Sequence, residues 1–240
     1  ESRNEIIEKD RALKTINENL EATIKERTME LDKEVKYTKS LLADREILFK
    51  ELYHRVKNNL QMLTSLLSMQ AKRVDDENSK AVLKDFIGRI KSLALLHEKL
   101  QSSNQLDRIN MQEYLRSLLE EVKNANPFIN LEIDLKSENM YMKIDQVTPI
   151  GLIINELTSN SFKHAFDNVE TPKIIVHLKE LSDTHLELYY SDNGSGAASL
   201  DNTKSLGTVL IDTLGKSQLK GEITIEMKPS LSYNIIFPKI

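Results

Sequence analysis

Residues 51–61 read ELYHRVKNNLQ, a histidine set among positive charges and two adjacent asparagines on an otherwise apolar helical stripe. An imidazole is largely neutral near pH 7 and is then a nucleophile. At helical spacing Asn58 stands four residues after His54 and shares its face, while Glu51 stands about one turn before it. Glu51 has the chemistry to orient or deprotonate the ring, and Arg55 or Lys57 to steady an anion. The second half carries three more such pieces. In NELTSN (155–160), followed by SFKHAF, Glu156 and Asn160 share a helix face. An Asn carbonyl oxygen is a hard ligand that suits Mg²⁺. Lys163 and His164, one turn further on, are placed to meet phosphates. In SDNGSG (191–196), Asp192 at a strand end can accept a hydrogen bond from an exocyclic amine, and Gly194 and Gly196 permit close approach to a ligand. In SLGTVL (205–210), Gly207 precedes an apolar helix, an arrangement that suits a phosphate at a helix N-terminus. Each piece alone is ordinary: a polar helix face, a hairpin turn, a glycine before a helix.

The elements that must position these residues fall into three parts. Residues 1–48 contain neither Gly nor Pro. Their apolar positions step through Leu13, Ile16, Leu20, Ile24, Leu31, Val35 and Leu42, mostly by three, four or seven, as in a coiled-coil seam. So narrow a stripe needs a partner helix, which predicts a parallel dimer. The stripe continues through Leu52, Val56, Leu60 and Leu67, breaks at RVDDENS (73–79), and resumes from Ala81 to Leu100. Two helices with a short turn make an antiparallel hairpin, and two hairpins make a four-helix bundle. QSSNQLDRIN (101–110) reads as a linker. Beyond it the pattern predicts helices at 111–122, 148–166 and 206–218, with Thr148 as N-cap of the second. It predicts strands at 130–136, 173–181, 185–193, 221–227 and 233–238. The fold expected is thus multi-domain: a coiled-coil signalling helix (1–45), a dimerising helical hairpin (46–105) and an α/β sandwich (106–240).

Composition removes several classes of function. Without cysteine there is no disulfide and no zinc site of thiolate type. A net charge of −4 implies no general affinity for nucleic acid. No apolar run is long enough to span a membrane, so no membrane contact is expected within this segment. The chain opens inside a helical pattern, which suggests a piece of something longer with an input domain upstream. His177 and His185 fall in predicted strands and receive no role, and His97 in LLHEKL reads as packing or a polar contact.

Taken in order, the Asn-bearing helix, DNGSG, a polar stretch at 197–204 and the Gly-led helix resemble the GHKL ATP-binding fold, over roughly residues 108–240. The resemblance implies ATP with Mg²⁺, Asn160 as metal ligand and Asp192 as reader of the adenine amine. It also implies Gly194, Gly196 and Gly207 around the pocket and lid, Lys163 and His164 along the phosphates, and Asn155 opening the motif. Glu156 stands where gyrase-like members place a water-activating base. Beside such a domain, ELYHRVKNNLQ with SLLSMQ, LLHEKL and INMQEYL is similar to the second HisKA subfamily of sensor histidine kinases. That resemblance implies a homodimer that autophosphorylates His54 and passes the phosphoryl group to an aspartate of a response-regulator receiver domain. Asn58 would position water for the reverse dephosphorylation. A bacterial, cytoplasmic location is implied, the whole protein being soluble or membrane-anchored. Arg55 follows the acceptor histidine where many kinases carry an acid, and Ser205 stands where many carry a first lid glycine. Two other functions compete: a GHKL ATPase with Glu156 as base, and a dimeric scaffold without catalysis.

Overall fold

The computed structural model describes residues 2–102, 108–125, 130–167, 169–194, 206–227 and 230–239. It divides into two compact units, Glu1–Phe49 and Lys50–Ile240. The first unit is helix throughout its described length, the opening part of α1 (Ser2–Ala71). Its apolar stripe is exposed: Leu13, Ile16, Leu20, Ile24, Leu31 and Val35 all face solvent. Burying such a stripe is the source of coiled-coil stability, so a lone helix of this sequence leaves it unused.

In the second unit α1 ends at Ala71 and α2 (Glu77–Ser102) runs back along it. The turn is fixed by Asp76, whose carboxylate accepts from the backbone N–H of Ser79 at 2.8 Å. That is an N-cap, and the bonds from Ser79 lower the Asp76 pKa. After α2 come β1 (Arg108–Asn110), α3 (Met111–Ala125), β2 (Glu132–Ser137), β3 (Tyr141–Lys143) and α4 (Ile144–His164). Then follow β4 (Lys173–Glu180), β5 (His185–Asp192), α5 (Leu206–Asp212), a π-helical turn at Thr213–Gln218, β6 (Glu222–Glu226) and β7 (Ser232–Pro238).

The main sheet has the order β2-β4-β5-β7-β6, with β2 parallel to β4 and the other pairs antiparallel. Alternation sends Ile174, Val176 and Leu178 of β4, and Leu186, Leu188 and Tyr190 of β5, to one buried face. Facing them, α4 buries Ile150, Ile153, Ile154 and Leu157. Helix α3 packs on α4 with Tyr114 wholly buried; a Cβ on Gly151 would strike its ring, so only glycine permits that approach. A long helix followed by this layered sheet domain is the α and α+β architecture expected, with a sheet domain of GHKL type.

Two local expectations change. Arg108–Asn110, read as linker, pairs antiparallel with Tyr141–Lys143, a strand that sequence periodicity does not show. Three residues are too few for a period of two to register. Because that strand feeds directly into α4, the helix begins at Ile144 rather than 148. Thr148 is therefore not its cap: its hydroxyl donates to the Ile144 carbonyl from within the helix. Pro149, in the second turn of the helix, is accommodated at the cost of one intrahelical bond.

Candidate functional site

On the hairpin, packing decides which way His54 points. Tyr53 is buried against His97 of α2, their ring centroids 5.8 Å apart. The next residue on an α-helix lies about 100° further round, and His54 is accordingly exposed. Lys57 ties the two helices together through Glu98 at 2.7 Å. His97 is half-buried, and desolvation lowers its pKa, so it packs as a neutral ring. Asn58 brings its amide nitrogen to 3.4 Å from Nδ1 of His54. Glu51 is engaged elsewhere: its carboxylate accepts from Nε of Arg55 at 2.7 Å. Both members of that pair are exposed.

The second cluster is built on α4. Its inward side carries Ser161 toward β5, and its other side carries Glu156, Asn160 and Lys163 toward α2. Glu156 is buried and accepts from Arg89 of α2, with Nε at 3.0 Å and Nη2 at 2.9 Å from the same oxygen. Lys163 donates to both oxygens of Asp85 at 2.5 and 2.6 Å. Asn160, Lys163, His164 and Gly207 line a cavity of about 170 Å³ whose far wall is Asp85, Phe86 and Arg89. Small-molecule pockets run from about 300 Å³ upward, so α2 leaves too little room there for a triphosphate. A Cβ on Gly207 would collide with the Glu156 carboxylate, which accounts for glycine at that helix start. Asn155 lies against Gly88 of α2.

Asp192 ends β5, buried, with both carboxylate oxygens occupied. Ser161 Oγ donates to Oδ2 at 2.5 Å and the Gly194 N–H donates to Oδ1 at 3.0 Å. A side chain on Gly194 would run into the Ala165 backbone at the end of α4, its Cβ falling 2.6 Å from the carbonyl oxygen. Asn193 clamps the same corner, accepting from Lys173 N at 2.7 Å and donating to Thr171 O at 2.8 Å. Gly196, Ser205 and the polar stretch 197–204 lie outside the described residues.

The structure thus brings Glu156, Asn160, Lys163, His164 and Gly207 to one cavity, sets Asp192 with Gly194 beside Ser161, and keeps His54 with Asn58 on the hairpin. Level with Tyr53, His97 is eight residues beyond Arg89 on α2. That separation is about 12 Å along the helix, so the cavity does not lie at the level of His54. Sequence reasoning missed Asp85, Arg89, Ser161 and Tyr190. Ser161 was open to it: it continues the inward row Ile150, Ile154, Leu157 as the one hydroxyl.

A histidine on an exposed hairpin face, followed by a layered sheet domain, is an arrangement that resembles that of the histidine kinases. Residues 51–126 match the histidine kinase family HisKA_2. The sensor histidine kinase PdtaS of Mycolicibacterium smegmatis is 28% identical over 207 residues, 85% of this chain and 41% of that protein. PdtaS of Mycobacterium tuberculosis is 29% identical over 194 residues, 79% of this chain and 38% of that one. The histidine kinase domain of a blue-light-activated histidine kinase from Erythrobacter litoralis has the same fold, with a TM-score of 0.60 at 17% identity. That likeness covers 82% of this chain and 94% of the domain. The chain is thus similar to sensor histidine kinases, with a match to HisKA_2 over residues 51–126, and it spans about two-fifths of the curated relatives' length.

Proposed function

We propose that this chain is the catalytic portion of a dimeric sensor histidine kinase that autophosphorylates His54 from MgATP. One observation carries the reading: an outward-facing histidine on a hairpin and a buried carboxylate, Asp192, at the end of β5 occupy one chain in the family's order. A nitrogen of the His54 ring forms the P–N bond as the bond from the γ-phosphorus to the ADP oxygen breaks. The ring proton leaves to solvent or to a nearby base. An Asn58 amide turned oxygen-first would hold Nδ1–H and leave Nε2 with its lone pair. Asn160 would hold the Mg²⁺, with Lys163 and His164 along the phosphates; the ion's contribution is to neutralise developing charge. Asn155, Gly196 and Gly207 would complete the nucleotide set; Glu51 would orient or deprotonate His54, and Glu156 stands where gyrase-like members place a water-activating base. The phosphoryl group then passes to an aspartate of a receiver domain, and Asn58 serves the reverse hydrolysis.

Three parts divide this work: residues 1–45 transmit the signal, 46–105 dimerise and carry phosphate, and 106–240 bind ATP. Leu52, Leu63, Leu66 and Met69 of α1 and Val82 and Phe86 of α2 are exposed, an apolar surface of the kind a second hairpin covers. Among the described residues no helix is long and apolar enough to cross a membrane. A bacterial cytoplasmic location remains part of this proposal. The Glu156–Arg89 and Lys163–Asp85 pairs occupy the groups a triphosphate needs. The arrangement is therefore a resting one, released before transfer.

The test is incubation with ATP labelled at the γ-phosphate. Label on the protein that is acid-labile and absent from His54→Gln supports the proposal. Acid-stable label that survives the substitution, or phosphate release with no phosphoprotein, overturns it.

A further inference from the structure

Behind Asp192 lies a hydrogen-bonded chain that reaches into the core between α4 and β5. Ser161 Oγ is 2.5 Å from Asp192 Oδ2, and the Tyr190 hydroxyl is 2.8 Å from Ser161 Oγ. All three side chains are nearly inaccessible, at 3% for Asp192 and 1% each for Ser161 and Tyr190. The proton directions follow from what each group can give. A carboxylate only accepts, so Ser161 must donate to Asp192. A hydroxyl has one proton, so Ser161 has none left for Tyr190, and Tyr190 must donate to Ser161. The Leu157 carbonyl, at 3.2 Å, is the longer alternative for the Ser161 proton. Burial pushes the Tyr190 phenol up, so it keeps the proton this direction requires.

On the reading that Asp192 contacts the base of a bound nucleotide, we propose that Ser161 and Tyr190 are positioning residues that set base specificity. The relay and the Gly194 N–H fix the carboxylate plane from two sides and commit both oxygens to accepting. The lone pairs that remain can only accept as well. A purine with an amino group at position 6 offers a donor and is taken. One with an oxo group there sets acceptor against acceptor and is refused. Without Ser161 the carboxylate is free to turn, and its accepting lone pairs are no longer held against a position-6 oxo group. The relay thus acts through Asp192 rather than on the substrate, by removing the alternative that would admit the wrong base.

The experiment is equilibrium binding of non-hydrolysable ATP and GTP analogues with Mg²⁺ to the 240-residue chain and four variants. Ser161→Ala should weaken the ATP analogue about tenfold and leave the GTP analogue unchanged or tighter, collapsing the ratio. Tyr190→Phe, which keeps the Ser161 proton on Asp192 but loosens its anchor, should weaken ATP by about threefold. Ser161→Thr, which restores a hydroxyl, should return both affinities to within about twofold of the parent. Asp192→Asn separates the two levels of the argument. If it leaves ATP affinity intact, Asp192 does not read the base and the nucleotide-site reading fails. If it abolishes ATP binding while Ser161→Ala and Tyr190→Phe leave the ATP-to-GTP ratio unchanged, the relay alone is overturned. Equal weakening of both nucleotides by Ser161→Ala, not rescued by Ser161→Thr, would mark it as packing and also overturn the proposal.

Discussion

Two Arg–Glu ion pairs in this chain have the same chemistry and opposite surroundings. Arg55–Glu51, beside His54, closes at 2.7 Å with side chains 73% and 54% exposed. Arg89–Glu156, beside the cavity lined by Asn160 and Lys163, closes at 2.9 Å with side chains 14% and 5% exposed. The first is an i,i+4 pair on one helix and fixes nothing beyond that turn. The second joins residues 67 apart in sequence and holds the hairpin to the sheet domain. Length does not distinguish them; water does. In water the pair's attraction is small and the two ions lose little by parting, whereas burial makes either partner costly to leave alone. The lesson is that the structural joint lies where Arg89 of α2 meets α4, and that His54 is left exposed on the hairpin.

Breaking the buried pair is the strongest way to test this contrast. Arg89→Ala leaves the Glu156 carboxylate buried without its partner and should cost about 3 kcal/mol of stability. Urea unfolding monitored by circular dichroism measures it. The double replacement Arg89→Met with Glu156→Leu removes both charges and should recover most of the loss. A change below about 1 kcal/mol in the single variant would mean that solvent reaches the pair, and the contrast would dissolve.

Part of this architecture was legible in the sequence, for definite reasons. The alternation through Leu186, Leu188 and Tyr190 puts Asp192 on the buried face at the end of its strand, so period alone locates it. The direction of His54 was less legible, because the buried neighbour is Tyr53, while Leu52 of the Leu52–Val56–Leu60 stripe is itself exposed. Gly194 was read as permitting close approach to a ligand, and what approaches it closely in the structure is the Ala165 backbone. Arg89 and Asp85 were not legible, because their partners on α4 are set by how two helices cross, which leaves no local signature. The start of α4 was misread because β3 was too short to register as a strand, and a Thr-Pro pair imitates a helix entrance.

The Lys163–Asp85 pair lies between the two extremes, its side chains 35% and 24% exposed. It sharpens the comparison in terms of binding rather than stability. Asp85 spends the Lys163 charge and presents its own negative charge to arriving phosphates. Asp85→Asn should therefore tighten binding of a non-hydrolysable MgATP analogue about fivefold, roughly 1 kcal/mol. Isothermal titration calorimetry reads this directly. Unchanged or weaker binding would show that α2 does not compete with phosphate for Lys163.

The smallest effect should come from the exposed pair. Glu51→Gln keeps the shape of the side chain and can still accept from Arg55 Nε, so only the charge is removed. The expected loss of stability is at most about 0.5 kcal/mol, and it should fade as salt is added. Its effect on phosphorylation discriminates further. If Glu51 serves only Arg55, as the 2.7 Å bond indicates, the initial rate of His54 labelling should stay within about twofold of the parent. A fall of a hundredfold, with stability unchanged, would mean that Glu51 leaves Arg55 and takes the ring proton during transfer. The exposed pair would then be a latched base, freed at little cost because water already surrounds it.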